Sequence, residues 1–310
     1  MVPPDKGCGL SSENKTETTI RELNRDEVQT AINWAATEGW NPGHNDRDAF
    51  LSIDAGGFLG IFLRGEMIGC ISAINYDETF SFLGFYIVKK EHQGKGYGLA
   101  VWKTAMAHTS VGGSARIIGL DGVVEQQPQY KKSGFQFVYK NIRFGGKPNI
   151  AAVAESEGGT SNIEIVHVQD FALQGLEAVI EYDRIYFPVE RRPFLEKWLT
   201  EEGHTAKVAI NSKGTVCGYA VLRPCQIGYK IGPLFADSAN IAKQILHRLL
   251  VPLKGQEQLF IDVPEPNREG IEIAALLGLT KVFETARMYR GVPPAIDLDG
   301  VFGVTTFEVG

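Results

Sequence analysis

The chain has 310 residues, 44% hydrophobic and 22% charged, with a formal net charge of −6. Those values describe an ordinary globular protein with chain enough for about two domains of ~150 residues. The negative field disfavours nucleic acid and anionic membrane as partners, and no apolar run approaches the ~20 residues of a membrane helix.

Residues 1–17 have neither an apolar signal core nor an arginine-rich transit pattern and read as a disordered leader, with the protein expected in the cytoplasm. Residues 18–38 read as a short strand, then Asn24 as the cap of a helix whose apolar positions Val28, Ala31, Ile32 and Ala35 recur with helical period. "RDAFLSI" suggests a second short helix. "GGFLGIFLRGEMIGCISAINYDETFSFLGFYIV" is three apolar runs split by turn residues, a meander. "ARIIGLDGV" is a strand, "QQPQYKKSGF" a brief helix closed by Gly134, and "FQFVYKNIRF" an alternating strand. Residues 147–162 are rich in Gly, Ala and Ser and read as a linker. Cys8, Cys70, Cys217 and Cys225 are scattered without metal-ligand spacing and read as free thiols; no metal site is expected.

The second half, 163–291, repeats the first in weakened form, with residues 292–310 expected as a C-terminal tail. "TVCGYAVL" answers "EMIGCISA", with Gly218 opposite Gly69. "YKIGPLF" answers "SFLGFYI", with Gly232 opposite Gly84. Asp262 falls opposite Asp121, Gly278 opposite Gly134, and Arg287 opposite Arg143. The shared order of these matches points to a duplicated domain.

One block has no echo. Between the meander and its helix stands Gln93-Gly94-Lys95-Gly96-Tyr97-Gly98, where the second half has "ADSANIAK". Unpaired N–H groups at a helix start favour an anion, and glycines let a phosphate approach the backbone. The spacing is neither that of a P-loop nor that of a dinucleotide fingerprint. It points to a different pyrophosphate binder. In the second half Asp237 or Ser238 caps the helix instead, and the acid puts the wrong charge where a pyrophosphate would sit.

On these residues the chain resembles the GNAT superfamily of N-acetyltransferases. "YIVKKEHQGKGYGLAVWKTAMAH" is similar to its Q/R-x-x-G-x-G/A motif behind an apolar strand, and "QYKKSGFQFV" to its Tyr a few residues before Gly-Phe. The whole chain looks like a tandem arrangement. The expected fold is α/β of the α+β type: two GNAT-like domains, 18–146 and 163–291, each a mixed, mostly antiparallel sheet flanked by helices.

The resemblance implies acetyl-CoA as co-substrate, lying between the splayed strands "FLGFYIV" and "RIIGLDGV". Backbone groups of Phe85, Tyr86, Ile87 and Val88 would hold its pantetheine. The amides of Gln93, Gly94, Lys95, Gly96, Tyr97 and Gly98 would hold its diphosphate. The acceptor would be an amine, on a small molecule or a peptide, and the acidic balance favours a cationic one. Tyr130 matches the family's proton donor to the leaving sulfur, a phenol of pKa ~10 facing a thiolate of ~8.5 or above. Asp121 is the leading candidate base, with Asp77, Glu78 and Glu125 as alternatives. "GWNPGHNDRDAF", with Trp40, His44 and Phe50, falls where the family shapes its acceptor pocket. "EYDRIYFPVERRPFLEKWL" offers either an amphipathic helix pair or an inter-domain surface. His44 and His108 show no partner in the sequence. Arg223, Asp262 and Asn267 are the second half's polar candidates. A non-catalytic acyl-CoA module and a nucleotide-binding transferase stay open, as do acceptor, acyl chain and oligomeric state.

Overall fold

The computed structural model describes residues 17–110, 116–154, 163–170, 173–253 and 255–310. Residues 1–16 of the expected leader, with Cys8, and the second half of the expected linker lie outside the described residues. In the first half, β1 (Thr18–Glu22) is followed by α1 (Arg25–Thr37) and α2 (Asp46–Leu51). Asn24 caps α1 in a full capping box with Glu27, and the helix buries Val28, Ala31, Ile32 and Ala35, as its periodicity requires. The meander is β2 (Phe58–Leu63), β3 (Glu66–Asn75) and β4 (Phe80–Val88), leading into α3 (Tyr97–His108). Then come β5 (Ile117–Gly122), α4 (Gln127–Lys132) and β6 (Gln136–Gly146).

The expected linker opens with a structured piece, α5 (Ile150–Ala154), whose Val153 is buried in the core of the second half. That half comprises β7 (Glu164–His167), α6 (Leu173–Asp183), α7 (Arg192–Trp198), β8 (Thr205–Ile210), β9 (Val216–Pro224), β10 (Tyr229–Ala236), α8 (Ala239–Leu250), β11 (Leu259–Pro264), α9 (Arg268–Leu276) and β12 (Thr280–Arg290). The last residues are not a free tail. They form β13 (Val301–Gly303) and continue, buried, to Gly310.

The thirteen strands of the described residues join one sheet, in the order β1-β2-β3-β4-β5-β12-β6-β11-β10-β9-β8-β7, with β13 beside β10. Neighbours run antiparallel except β4 with β5 and β10 with β11. The two halves exchange their last strands. β12 pairs with β5 of the first half, and β6 pairs with β11 of the second. Packing follows the exchange: Ala286 and Met288 of β12 join the first half's core under α3, while Ile142 and Phe144 of β6 join the second half's. Each large apolar side chain so buried contributes about 1.5–3 kcal/mol, which ties the halves into one body. A third cluster bridges them, with Phe50 stacked on Trp198 at 6.0 Å, and a smaller one sets Phe80 edge-on to Phe187 at 5.7 Å. Tyr182, Tyr186, Phe187 and Trp198 are all buried, so the aromatic stretch 181–199 packs between the halves.

Candidate active site

The site forms where β4 and β5 part. Their parallel pairing runs from Phe80 opposite Ile117 to Leu83 opposite Leu120 and stops there. On its other edge β5 pairs with β12 from Ile118 opposite Arg290 to Gly122 opposite Ala286, with Asp121 opposite Arg287. β4 stays on β3 through a register shift, and Phe85 takes a left-handed φ of 47°. That bulge bends β4 away and leaves one backbone edge of Tyr86–Val88 facing a cleft. Phe85 turns its ring into the core against Phe50 and Phe58, and Ile87 is buried too. What the four expected cofactor residues offer the cleft is therefore mainly backbone.

At the mouth of this cleft lies the glycine turn. Gly94 and Gly96 have φ of 70° and 85°, a region that side-chain-bearing residues rarely adopt. Gly96 caps α3 without a side-chain hydrogen bond, so the first-turn amides keep their donors for something else. Gln93 is tied back to the Val88 carbonyl through Nε2 at 2.8 Å, and Lys95 to the Glu91 carbonyl through Nζ at 2.7 Å. The Gln93 amide itself donates to the Lys90 carbonyl at 3.3 Å, so the amides free of such a bond are those that follow it. At Gly98 a Cβ would come within 2.7 Å of the Tyr86 hydroxyl. Tyr97 is buried in the core, so its own contribution at the turn is its amide.

The cleft is lined by Gly84, Phe85, Tyr86, Trp102, Asp121, Gln126 and Tyr130 from the first half, with Trp40 from the loop after α1. Phe283 and Thr285 of the exchanged strand and Phe307 and Glu308 of the C-terminal segment complete it. Tyr130 stacks on Trp102 at 5.4 Å, and burial pushes its phenol up, which keeps it protonated and able to donate. Burial also pushes the Tyr86 phenol up, to about 12.

Asp121 lines the cleft but its carboxylate is committed. Arg287 grips it with Nη2 to Oδ2 at 2.8 Å and Nε to Oδ1 at 3.0 Å, and Asn141 donates to Oδ1 at 2.7 Å. Its side chain is 0% exposed. A carboxylate held this way is a charge-paired anchor between β5 and β12, with its lone pairs in use. Asp77 is likewise occupied, accepting from the amides of Thr79 and Phe80 in its turn. Glu308 is the opposite case. It is 2% exposed, and neither carboxylate oxygen has a hydrogen-bond partner among the described residues.

Other candidates are absorbed by structure. Trp40 reaches the cleft, Phe50 sits in the core, and His44 is exposed. His108, which shows no partner in the sequence, pairs through Nε2 with Asp54 at 2.9 Å. Arg223 is buried against Asp46, Asp262 against Arg143, and Asn267 caps α9. Cys70, Cys217 and Cys225 are buried free thiols. Among the described residues, no group of three or more His, Cys, Asp or Glu could hold a metal ion, and no helix is long and apolar enough to cross a membrane.

The second half carries the same splay, filled differently. β10 and β11 pair from Tyr229 opposite Leu259 to Ile231 opposite Ile261 and then part. β13 enters the gap: Leu234 lies opposite Gly303, and the Val304 amide donates to the Asp262 carbonyl at 2.8 Å. Ser238 caps α8, and Asp237 accepts from the Tyr182 hydroxyl at 2.6 Å. Beyond β13 the chain crosses to the first half. A Cβ on Gly232 would lie 2.4 Å from the Thr305 carbonyl oxygen, and one on Gly84 2.0 Å from that of Glu308. Glycine at both positions lets one segment thread the two gaps in turn.

The C-terminal contributors escape a reading of the sequence because strand exchange brings Phe283 and Thr285 to the cleft and the path of residues 301–310 brings Phe307 and Glu308. One signal exists: "VFGVTTFEVG" carries a single charge among apolar and small residues, the composition of a buried segment.

Comparison with known proteins agrees with this geometry. Residues 22–135 match the acetyltransferase (GNAT) family, and residues 179–303 match an acetyltransferase (GNAT) domain. The chain is 30% identical to a holothin acyltransferase of a Pseudoalteromonas strain, over 97% of each chain. It is 23% identical to an uncharacterized N-acetyltransferase of Bacillus subtilis, over 78% of this chain and 81% of that one. Among solved structures, a putative acetyltransferase of Pyrococcus horikoshii superposes with a TM-score of 0.75 at 22% identity, over 95% and 96% of the two chains. A tandem GNAT protein from the clavulanic acid biosynthesis pathway superposes with a TM-score of 0.60 at 13% identity, over 90% and 100%.

Proposed function

Because the chain belongs to the GNAT acetyltransferase family, we propose that it moves an acetyl group from acetyl-CoA to a primary amine by direct transfer in the cleft of its first half. The observation that carries this is the glycine turn at 93–98, set at the open end of the β4–β5 splay with its helix-start amides uncapped by side chains. The diphosphate sits on those amides, where the helix dipole and unpaired donors favour an anion. Pantetheine runs along the free edge of Tyr86–Val88 and takes the place of an added strand. The thioester carbonyl is then polarised by a main-chain N–H near the Phe85 bulge, and Tyr130 gives its proton to the departing sulfur.

The second half serves as scaffold. β13 fills its gap, and an acid stands where the first half has its turn. A non-catalytic acyl-CoA module remains the competing reading. Release of free thiol from acetyl-CoA in the presence of a panel of primary amines tests transfer; binding of acetyl-CoA with no release from any amine would favour the module.

A further inference from the structure

We propose that Glu308, delivered by the C-terminal segment, binds the acceptor's ammonium group and takes its proton, and that the acceptor is a primary alkylamine on a compact aromatic body. The inference rests on the acyl-transfer reading and names the acceptor side of that site. A buried carboxylate without a hydrogen bond is costly, and native proteins leave such groups where a ligand completes them. Glu308 has two such oxygens, 2% residue exposure, and a place in the wall that also holds Tyr130. Of the four carboxylates in the sequence reading, Asp121 and Asp77 are spent on other partners, and Glu78 and Glu125 are exposed and do not line the cleft.

The segment is held firmly. The Ser72 hydroxyl donates to the Glu308 carbonyl at 3.3 Å, the Tyr76 hydroxyl to that of Val309 at 2.6 Å, and the Val309 amide to Thr306 Oγ1 at 3.0 Å. A proton acceptor needs this fixed placement. The charged groups around it are Arg143, Arg223, Lys230 and Asp262. Arg143 bonds to Asp262 and to the Trp40 carbonyl, Lys230 to the Trp40 carbonyl at 3.4 Å, and Arg223 to Asp46 through Nε at 3.0 Å, its two Nη groups having no partner among the described residues. None of them donates a hydrogen bond to either Glu308 carboxylate oxygen.

Trp40, Phe283 and Phe307 supply flat apolar walls beside that charge. Aromatic faces beside one carboxylate suit an aryl-alkyl ammonium, whose ring the walls bury while the carboxylate takes its charge. A polyamine would bring its further charges up to the Arg143 guanidinium, which already lies over Phe307 at 4.8 Å and Phe283 at 5.8 Å.

The proton balance closes. One ammonium proton moves to a Glu308 oxygen, and the freed nitrogen lone pair forms the C–N bond to the thioester carbon. The C–S bond breaks, with its electron pair staying on sulfur, which takes the Tyr130 proton. The proton that nitrogen sheds in becoming an amide restores the phenol, and Glu308 releases its own to solvent.

The test compares wild type with Glu308→Gln, using 2-phenylethylamine and spermidine as probes. The variant should lose at least ~100-fold in kcat with 2-phenylethylamine at neutral pH, within the range of general-base catalysis. It should keep its acetyl-CoA affinity, and its rate should climb with pH as the free amine becomes abundant. Its melting temperature should match or exceed that of wild type. 2-Phenylethylamine should raise the melting temperature of wild type and not of the variant. An unchanged kcat, or a clear fall in melting temperature that marks Glu308 as a structural counter-charge, overturns the assignment. A preference for spermidine overturns the acceptor class. If wild type acetylates neither amine, the acceptor class is overturned, and the melting shift with 2-phenylethylamine still decides whether Glu308 is the ammonium site: no shift in wild type, or an equal one in the variant, refutes it.

Discussion

Arg143 and Asp262 face each other on β6 and β11 and close a two-armed ion pair, Nε to Oδ1 at 2.6 Å and Nη2 to Oδ2 at 2.7 Å. Arg287 and Asp121 do the same across β12 and β5. In each pair the arginine comes from one half's last strand and the acid from the other half's sheet. The acid follows directly on the last paired residue of its splay, Leu120 in one case and Ile261 in the other. The two clamps thus fix the exchanged strands at the points where the clefts open.

Removing one member of such a pair strands the other in the interior. Asp262→Ala should destabilise the protein by about 3–5 kcal/mol, because an uncompensated buried charge remains. Arg143→Met with Asp262→Ala should cost clearly less than the sum of the single changes. Urea denaturation of the four proteins in the cycle checks this; additive costs would show that the clamp does not hold the strands together.

The same pair sets an acid limit. Burial works against the Asp262 charge, but Arg143 outweighs it and holds the carboxyl below its usual range. A depressed carboxylate adds stability that is complete above its unfolded pKa of ~3.9 and is lost as pH falls through the folded value. Stability should therefore drop on acidification from about pH 4 downward, and Asp262→Asn should flatten that drop while being less stable at pH 7. Chemical denaturation at several pH values measures both, and an unaltered slope in the variant would remove Asp262 from the acid response.

Tyr130→Phe should lower kcat by about 100-fold or more and leave acetyl-CoA affinity within a factor of about two. The ring stack on Trp102 survives the change, so the fold should too. Steady-state kinetics with calorimetric binding separate the two effects. Equal turnover in the variant would take Tyr130 out of the proton path.

Much of the first half was legible because its signals are local. Asn24 with Glu27 marks a helix start, the glycine run marks a helix without a cap, and Gly134 closes α4 with its φ of 89°. The duplication was legible as well, with Asp262 matched to Asp121 and Arg287 to Arg143. What the repeat did not convey is that the acid of one copy pairs with the arginine of the other. Strand exchange is a long-range choice of register, and no short pattern encodes it. Glu308 stayed hidden for the same reason: only the path of residues 301–310 through both gaps puts it beside Tyr130.

A charge at the diphosphate position should act in one half only. Gly96→Glu should cost at least ~100-fold in acetyl-CoA affinity, through repulsion and the left-handed backbone there. Asn240→Glu, in the exposed first turn of α8, should change nothing, since an acid suits a helix start. Equal losses from the two substitutions would put a working cofactor site in the second half.

The most direct measurement is a crystal structure with coenzyme A bound. The diphosphate should lie on the amides of residues 93–98, pantetheine along Tyr86–Val88, and the sulfur within reach of the Tyr130 hydroxyl on the side facing Glu308. Coenzyme A found between β10 and β11 with β13 displaced, or found away from the turn altogether, would contradict the account.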